Sequence, residues 1–281
     1  MKHPEKWRET VDPFSLPYKK FKLIEVLGYP HAGNDVFHAS GIYNGQAVEV
    51  YIKVARQVGA DLENEVQVIS QINLELAPKI IDYDFDTTLF VVLLAKNGER
   101  LSTILGDNEN KASLEYLFEY GQTLAKIHSI NGDFTSVKDR KFFHLPSKSF
   151  FEENDLVFVY NYLSENKPNL ENKCFCHGDF HYANVLWENK HISAILDFEL
   201  AGLGNKEFDI AWAIIRRPGQ SFMVDSEEVQ LFLNGYASIS TCNIDYVKYY
   251  MVLTYSYFYQ IGIKNEEYTS YVKEVFNLLC K

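Results

Sequence analysis

No stretch of this 281-residue chain approaches the ~20 consecutive apolar residues that a membrane-spanning helix requires. Its opening, Met1-Lys2-His3-Pro4-Glu5-Lys6, lacks the apolar core of a secretory signal. Cysteine is scarce: Cys174, Cys176, Cys242 and Cys280 show no CxxC spacing, which argues against a zinc ribbon or a disulfide framework. Cys174 and Cys176 are expected on one strand face as buried, reduced thiols. Basic residues are outnumbered, 27 to 38, and the net charge of −11 argues against a nucleic-acid partner, whose phosphates need a basic surface. Repeats, low-complexity tracts and long linkers are also missing. These absences leave a cytoplasmic protein as the expectation. With 47% hydrophobic residues the chain can bury a substantial core, as one bilobal domain or two small ones.

What is present is more specific. His177-Gly178-Asp179-Phe180-His181-Tyr182-Ala183-Asn184 is followed by Ile195-Leu196-Asp197-Phe198-Glu199. Asp179 and Asn184 read as loop residues between short apolar runs, and Asp197 as a strand-end residue, where functional side chains are usually presented. Asp and Asn also cap ordinary turns, but three of them at these offsets match phosphoryl-transfer chemistry. One Asp receives the proton of the attacking hydroxyl, while an Asn and a second Asp hold Mg²⁺. The protein-kinase signature H-R-D-L-x-x-x-N with D-F-G has the same His-to-Asp and Asp-to-Asn offsets. Here Gly178 stands for the Arg and Glu199 for the final Gly, and both G-x-G-x-x-G and A-P-E are missing from their expected places.

HGDxHxxN followed by DFE resembles the aminoglycoside phosphotransferase family, small-molecule kinases that share the protein-kinase fold. The resemblance runs from about Gly28 to Trp212. It implies an α+β, bilobal, protein-kinase-like architecture, with a β-rich nucleotide-binding lobe over residues 1–95 and a helical catalytic and substrate-binding lobe over 96–281. It implies ATP or GTP as co-substrate, Mg²⁺ on Asn184 and Asp197, and Asp179 as the catalytic residue that deprotonates an acceptor hydroxyl.

The first ninety-five residues carry the strand signals such a lobe needs: Phe21 to Leu27, Val36 to His38, Ala47 to Ala55, Ile80 to Tyr83 and Leu89 to Ala95. Tyr43-Asn44-Gly45 joins two of them as a hairpin. In Val48-Glu49-Val50-Tyr51-Ile52-Lys53-Val54 the period-2 pattern puts Lys53 opposite the apolar face. The stretch resembles the V-A-I-K strand, whose Lys pairs nucleotide phosphates and a helix Glu. Leu62, Val66, Ile69, Ile72 and Leu76 form a helical apolar stripe. Glu65 falls inside that stripe and Glu63 outside it. A carboxylate there costs stability unless a cation meets it, so Glu65 is the better partner for Lys53.

Other segments are less specific. Leu27 to Val36 is the candidate phosphate-covering loop, in which Gly33 and Asn34 would approach the nucleotide. No Lys-Ser/Thr follows Gly33, so this is not a Walker A loop, and a plain hairpin turn explains it equally well. The resemblance makes Leu94, Ala95 and Lys96 the hinge against the purine. Leu114, Leu117, Phe118, Gly121, Leu124, Ala125 and His128 share a helical face, with His128 read as a satisfied core residue. Asp209 is read either as an N-cap or as a brace for the catalytic loop, and Glu199 as a possible addition to the metal shell. The aromatics from Tyr246 to Tyr259 read as core, or as a box for a cationic or glycosidic acceptor. The acceptor is expected to be a small-molecule hydroxyl, foremost that of an aminoglycoside, with a macrolide, choline, homoserine or a sugar as alternatives. Carboxylates near Asp179 would draw in ammonium groups of the first. A catalytically inactive nucleotide-binding protein remains the reading from another class.

Overall fold

The computed structural model describes residues 11–30, 33–56, 59–169, 173–262 and 265–280. In chain order the first elements are β1 (Phe21–Gly28), β2 (Asp35–Tyr43), β3 (Gln46–Val54), α1 (Leu62–Gln71), β4 (Ile80–Asp84), β5 (Phe90–Leu94) and the two-residue β6 (Glu99–Arg100). Next come α2 (Leu101–Leu105), α3 (Leu117–His128), α4 (Lys148–Glu153), α5 (Val157–Glu165), β7 (Cys174–Cys176), β8 (Val185–Glu188) and β9 (His191–Ile195). β10 (Gly202–Gly204), α6 (Lys206–Ile214), α7 (Ser226–Ala237), α8 (Ile244–Ile261) and α9 (Glu266–Leu279) complete the chain. Two compact units result. The first takes Met1–Glu99 with Val185–Glu188 and Ile192–Ala201, and the second takes Arg100–Asn184, Asn189–His191 and Gly202–Lys281. Among the described residues no helix is long and apolar enough to cross a membrane.

The first unit is built on a five-stranded antiparallel sheet of order β1-β2-β3-β5-β4. The β2–β3 hairpin closes at Asn44 and Gly45, both at positive φ, with Tyr43 opposite Gln46. A two-residue turn of that kind matches the twist of its strands. Alternation along β3 sends Val50, Ile52 and Val54 into a core with Phe37, Phe90 and Val92, and leaves Lys53 on the other face. On that other face α1 packs Leu62 and Val66 against Val91 and Leu93. Asp61 caps α1 by accepting the Asn64 N–H at 3.2 Å. The expected apolar stripe runs past the helix: α1 ends at Gln71, and Ile72 is extended yet still buried. Periodicity alone does not distinguish a last helical turn from a buried extended residue.

The second unit is mostly helical, with α3 packed on α7 and α6 on α8. Gly121 of α3 and Gly235 of α7 let the first pair approach closely, because a Cβ on either would run into the opposing backbone at Phe232 or Phe118. Phe118 itself is 40% exposed, so it leaves the expected buried face of α3, while Leu117, Leu124 and His128 keep to it. A short antiparallel pair, β7 with β10, sets Cys176 opposite Gly202. The Cys174 and Cys176 sulfurs lie 4.0 Å apart as free thiols. Every residue of α6 from Glu207 to Ile214 is buried, so its polar side chains must find partners inside the unit.

Candidate active site

The candidate residues fall into two clusters, one in each unit. In the first, Lys53 reaches from β3 to Glu65 in the first turns of α1, with its Nζ 3.0 and 2.8 Å from the two carboxylate oxygens. Its ammonium also donates to Asp197 Oδ1 at 2.9 Å. Glu65 is fully buried, and its Oε1 accepts the Phe198 N–H at 3.3 Å as well. Burial alone would lower the Lys53 pKa; the charges of Glu65 and Asp197 outweigh it and hold the ammonium above its ordinary value. Asp197 sits at φ +67°, ψ +68°, in the left-handed region that non-glycine residues seldom adopt. Backbone strain of that kind is concentrated at functional sites.

Glu199 holds this cluster together. Its Oε1 accepts the Asp61 N–H and its Oε2 accepts Asn34 Nδ2, both at 2.9 Å. Its carbonyl accepts Asn64 Nδ2 at 3.0 Å. Asn34, buried at the end of the candidate phosphate loop, accepts the Arg56 N–H in turn at 3.3 Å. Gly33 precedes it at φ +108°, whereas His31 and Ala32 lie outside the described residues. At the candidate hinge, the Leu94 N–H donates to Lys79 O at 2.9 Å and the Ala95 N–H to Glu49 O at 3.0 Å. The Lys96 ammonium donates to Glu75 O at 2.7 Å.

In the second unit Asp179 sits between several donors. Trp212 Nε1 donates to its Oδ1 at 2.8 Å and Asn184 Nδ2 to its Oδ2 at 3.1 Å. The same Asn184 nitrogen donates to the Asp179 carbonyl at 3.0 Å, which turns the amide oxygen of Asn184 away as an acceptor. His181 Nε2 stands 3.6 Å from Oδ2. Burial works to raise the Asp179 pKa, but contact with His181 and the fields of His177 and Arg140 prevail and lower it. The Arg140 guanidinium donates to Gly178 O at 2.6 Å and lies over the Phe142 ring. Of these neighbours Arg140 is a permanent cation, whereas His177 and His181 carry charge only when protonated.

Asp209 braces the loop from below. It accepts the His177 N–H at 2.7 Å and the Gly178 N–H at 3.0 Å. It is not an N-cap: Asn205 occupies that position, and Asp209 lies a turn inside α6. Gly178 stands at φ +79°, so this loop favours glycine where protein kinases carry Arg. His128 is satisfied in the core, with Tyr236 Oη 2.8 Å from Nδ1 and Asp209 3.4 Å from Nε2. Ligand atoms of His128, Cys176 and Asp209 lie within 4.8 Å of one another, but the Asp209 oxygens already serve the loop amides.

With both clusters described, comparison with known proteins is decisive. A sequence profile of the phosphotransferase enzyme family matches residues 43–241. The chain belongs to that family. Its members are small-molecule kinases, and the aminoglycoside 3′-phosphotransferase of Niallia circulans is 25% identical over 262 residues, covering 83% of this chain and 95% of that one. Among solved structures, APH(2″)-IIa in complex with streptomycin and ATP has a TM-score of 0.59 at 17% identity, covering 88% of this chain and 87% of that one. APH(9)-Ia with ADP and spectinomycin has a TM-score of 0.54 at 16% identity, covering 92% and 89%. These structural likenesses show the fold, the bilobal kinase-like α+β class expected from the motifs.

Sequence reasoning did not single out Trp212, Arg140 or Arg217 at the site. Trp212 had one usable signal, its spacing of three after Asp209 on a helix, which puts both on one face. Arg140 and Arg217 had none.

Proposed function

We propose that this phosphotransferase moves the γ-phosphate of ATP or GTP to a hydroxyl of a small molecule, with Asp179 as catalytic base. The observation that carries the reading is the Asp179 carboxylate, held by Trp212 on one oxygen and Asn184 on the other and 22% exposed. It accepts the hydroxyl proton as the acceptor oxygen attacks phosphorus and the bond to the nucleotide's β-phosphate oxygen breaks. Lys53, kept charged by Glu65 and Asp197, meets the nucleotide phosphates. Gly33 and Asn34 approach them from the covering loop, and Leu94 to Lys96 face the purine, mainly through Lys96 and the carbonyls because the first two N–H groups are engaged.

Each of the two proposed ligands offers the kind of oxygen that Mg²⁺, a hard cation, prefers. Asn184 presents its amide oxygen, and Asp197 keeps Oδ2 without a protein hydrogen bond among the described residues. Held by Asn184 and Asp197, the ion would supply neutralisation of charge at the nucleotide phosphates. Glu199 is a brace in this reading, since both its carboxylate oxygens already accept protein N–H groups. Free thiols and the need for a nucleoside triphosphate favour the cytoplasm.

For the acceptor we take an aminoglycoside as first reading, supported by the Niallia circulans relative. A second reading, a macrolide or a metabolic alcohol, is favoured by the Arg140 guanidinium near Asp179, which disfavours an acceptor carrying several ammonium groups. Phosphate transfer to kanamycin, erythromycin, choline and homoserine, at low and high ionic strength, separates the two. Salt-sensitive turnover of kanamycin supports the first; turnover of another acceptor alone supports the second. Asp179→Asn should fold normally and lose turnover with all of them. Near-wild-type turnover by that variant removes Asp179 from the role.

A further inference from the structure

We propose that Trp212 is the positioning residue for the Asp179 carboxylate, acting through its indole N–H. The proposal rests on the reading of Asp179 as base. A carboxylate turns readily about its last torsion, which is broad and two-fold, so its plane stays fixed only if both oxygens are held. Asn184 holds Oδ2 at 3.1 Å, but through an amide whose other end is proposed to face the metal. Trp212 holds Oδ1 at 2.8 Å with a group that can only donate, in one direction.

The indole is itself held rigidly. It is 7% exposed and stacks on Phe142 at 4.7 Å and on Phe208 and Phe258 at 5.8 and 5.9 Å. The Arg217 guanidinium lies 4.7 Å from the Trp212 ring and donates to the Trp212 carbonyl at 2.9 Å. A cation over an aromatic face draws electron density from the ring, which makes the indole N–H a stronger donor toward the carboxylate. One turn of α6 thus sets the loop twice: Asp209 fixes the backbone just before the base, and Trp212 fixes the base's side chain. A buried Trp does need a partner for its N–H. Here the partner is a carboxylate that still reaches solvent, whose free orientation would otherwise be lost to thermal rotation.

Trp212→Phe keeps an aromatic ring and removes the N–H, whereas Phe142→Leu removes a stacking partner and keeps the N–H. Both are measured with ATP and with kanamycin, erythromycin, choline and water as acceptors. Trp212→Phe should lower kcat about 10- to 100-fold, the range expected for a displaced reacting group. Its KM for ATP should stay within about twofold, because in this reading the N–H acts on the base alone. Phe142→Leu should retain kcat within about threefold, since a lost packing contact leaves the hydrogen bond in place. Wild-type kcat in Trp212→Phe, an equal loss in Phe142→Leu, or failure of Trp212→Phe to fold each overturns the proposal. Asp179→Asn, run in parallel, tells the two readings apart. If it stays active, the assignment of the base fails. If it is dead while Trp212→Phe is fully active, only the role of Trp212 fails.

Discussion

Removing either end of the Lys53–Glu65 pair should destabilise the first unit unequally, and the inequality can be worked from burial. Among the described residues, Lys53→Met leaves the Glu65 carboxylate, at 0% exposure, with the Phe198 N–H and no cation. Breaking a buried pair in that way costs about 3–5 kcal/mol, because the surviving charge is uncompensated. Glu65→Gln leaves the ammonium, which still holds Asp197 at 2.9 Å. The Asp197 side chain is 38% exposed, so water screens that contact and its compensation is only partial. We therefore expect Glu65→Gln to cost about 1.5–3 kcal/mol, roughly half the Lys53→Met figure. Urea unfolding measures both, and the KM for nucleotide should rise in each variant, as a lysine pulled onto Asp197 is misplaced for phosphates. Equal costs, a reversed order, or a Glu65→Gln cost below about 0.5 kcal/mol with unchanged KM would refute the argument, since such values are those of an exposed pair.

Asp197→Ala should weaken binding of Mg²⁺-nucleotide more than binding of metal-free nucleotide; calorimetry showing equal losses would remove Asp197 from the metal set. Gly178→Ala forces a Cβ into φ +79° and should cost about 1–2 kcal/mol together with most of kcat, whereas an unchanged melting temperature would show that the loop relaxes freely. Asp84 accepts hydrogen bonds from the Thr87 hydroxyl, from Lys19 and from the Thr87 and Thr88 amides, which lower its pKa. The stability it contributes is fully present above the ordinary carboxylate value near about 4 and is lost as pH falls through the depressed folded value. Asp84→Asn should accordingly flatten the acid limb of the stability–pH curve below about pH 4 and leave the neutral region parallel to wild type; an unaltered acid limb counts against that sign.

The parts of the fold legible in the sequence were those dictated by local pattern. The β3 alternation, the Asn44-Gly45 turn and the strand signals translate directly into a sheet because side-chain period and turn chemistry act over a few residues. Pattern failed where burial and helicity part company: Ile72 keeps the helical spacing of α1 while the backbone has already become extended, and Phe118 lies on the expected apolar face yet 40% exposed. That residues 192–201 pack with the first unit is a tertiary fact with no local signature.

The same division runs through the site. Asp179, Asn184 and Asp197 stood out as candidates because phosphoryl transfer demands particular groups at restricted spacing, and Glu65 because a carboxylate in an apolar stripe needs a cation. The groups that hold them in place obey no such spacing. Asn34 meets Glu199 across 165 residues, and Trp212 meets Asp179 across 33. Glu199 shows the consequence most clearly. Read from its position two after Asp197, it is a further acidic group beside a proposed metal ligand. Read with its partners, it accepts the Asp61 N–H that opens α1 and the Asn34 amide of the covering loop, while its carbonyl takes Asn64. A side chain with those partners ties the turn after Asp197 to the start of the helix that carries Glu65. It therefore bears on Asp197 and Glu65 through the segments it joins, and on Lys53 and Asp197 through its charge as well.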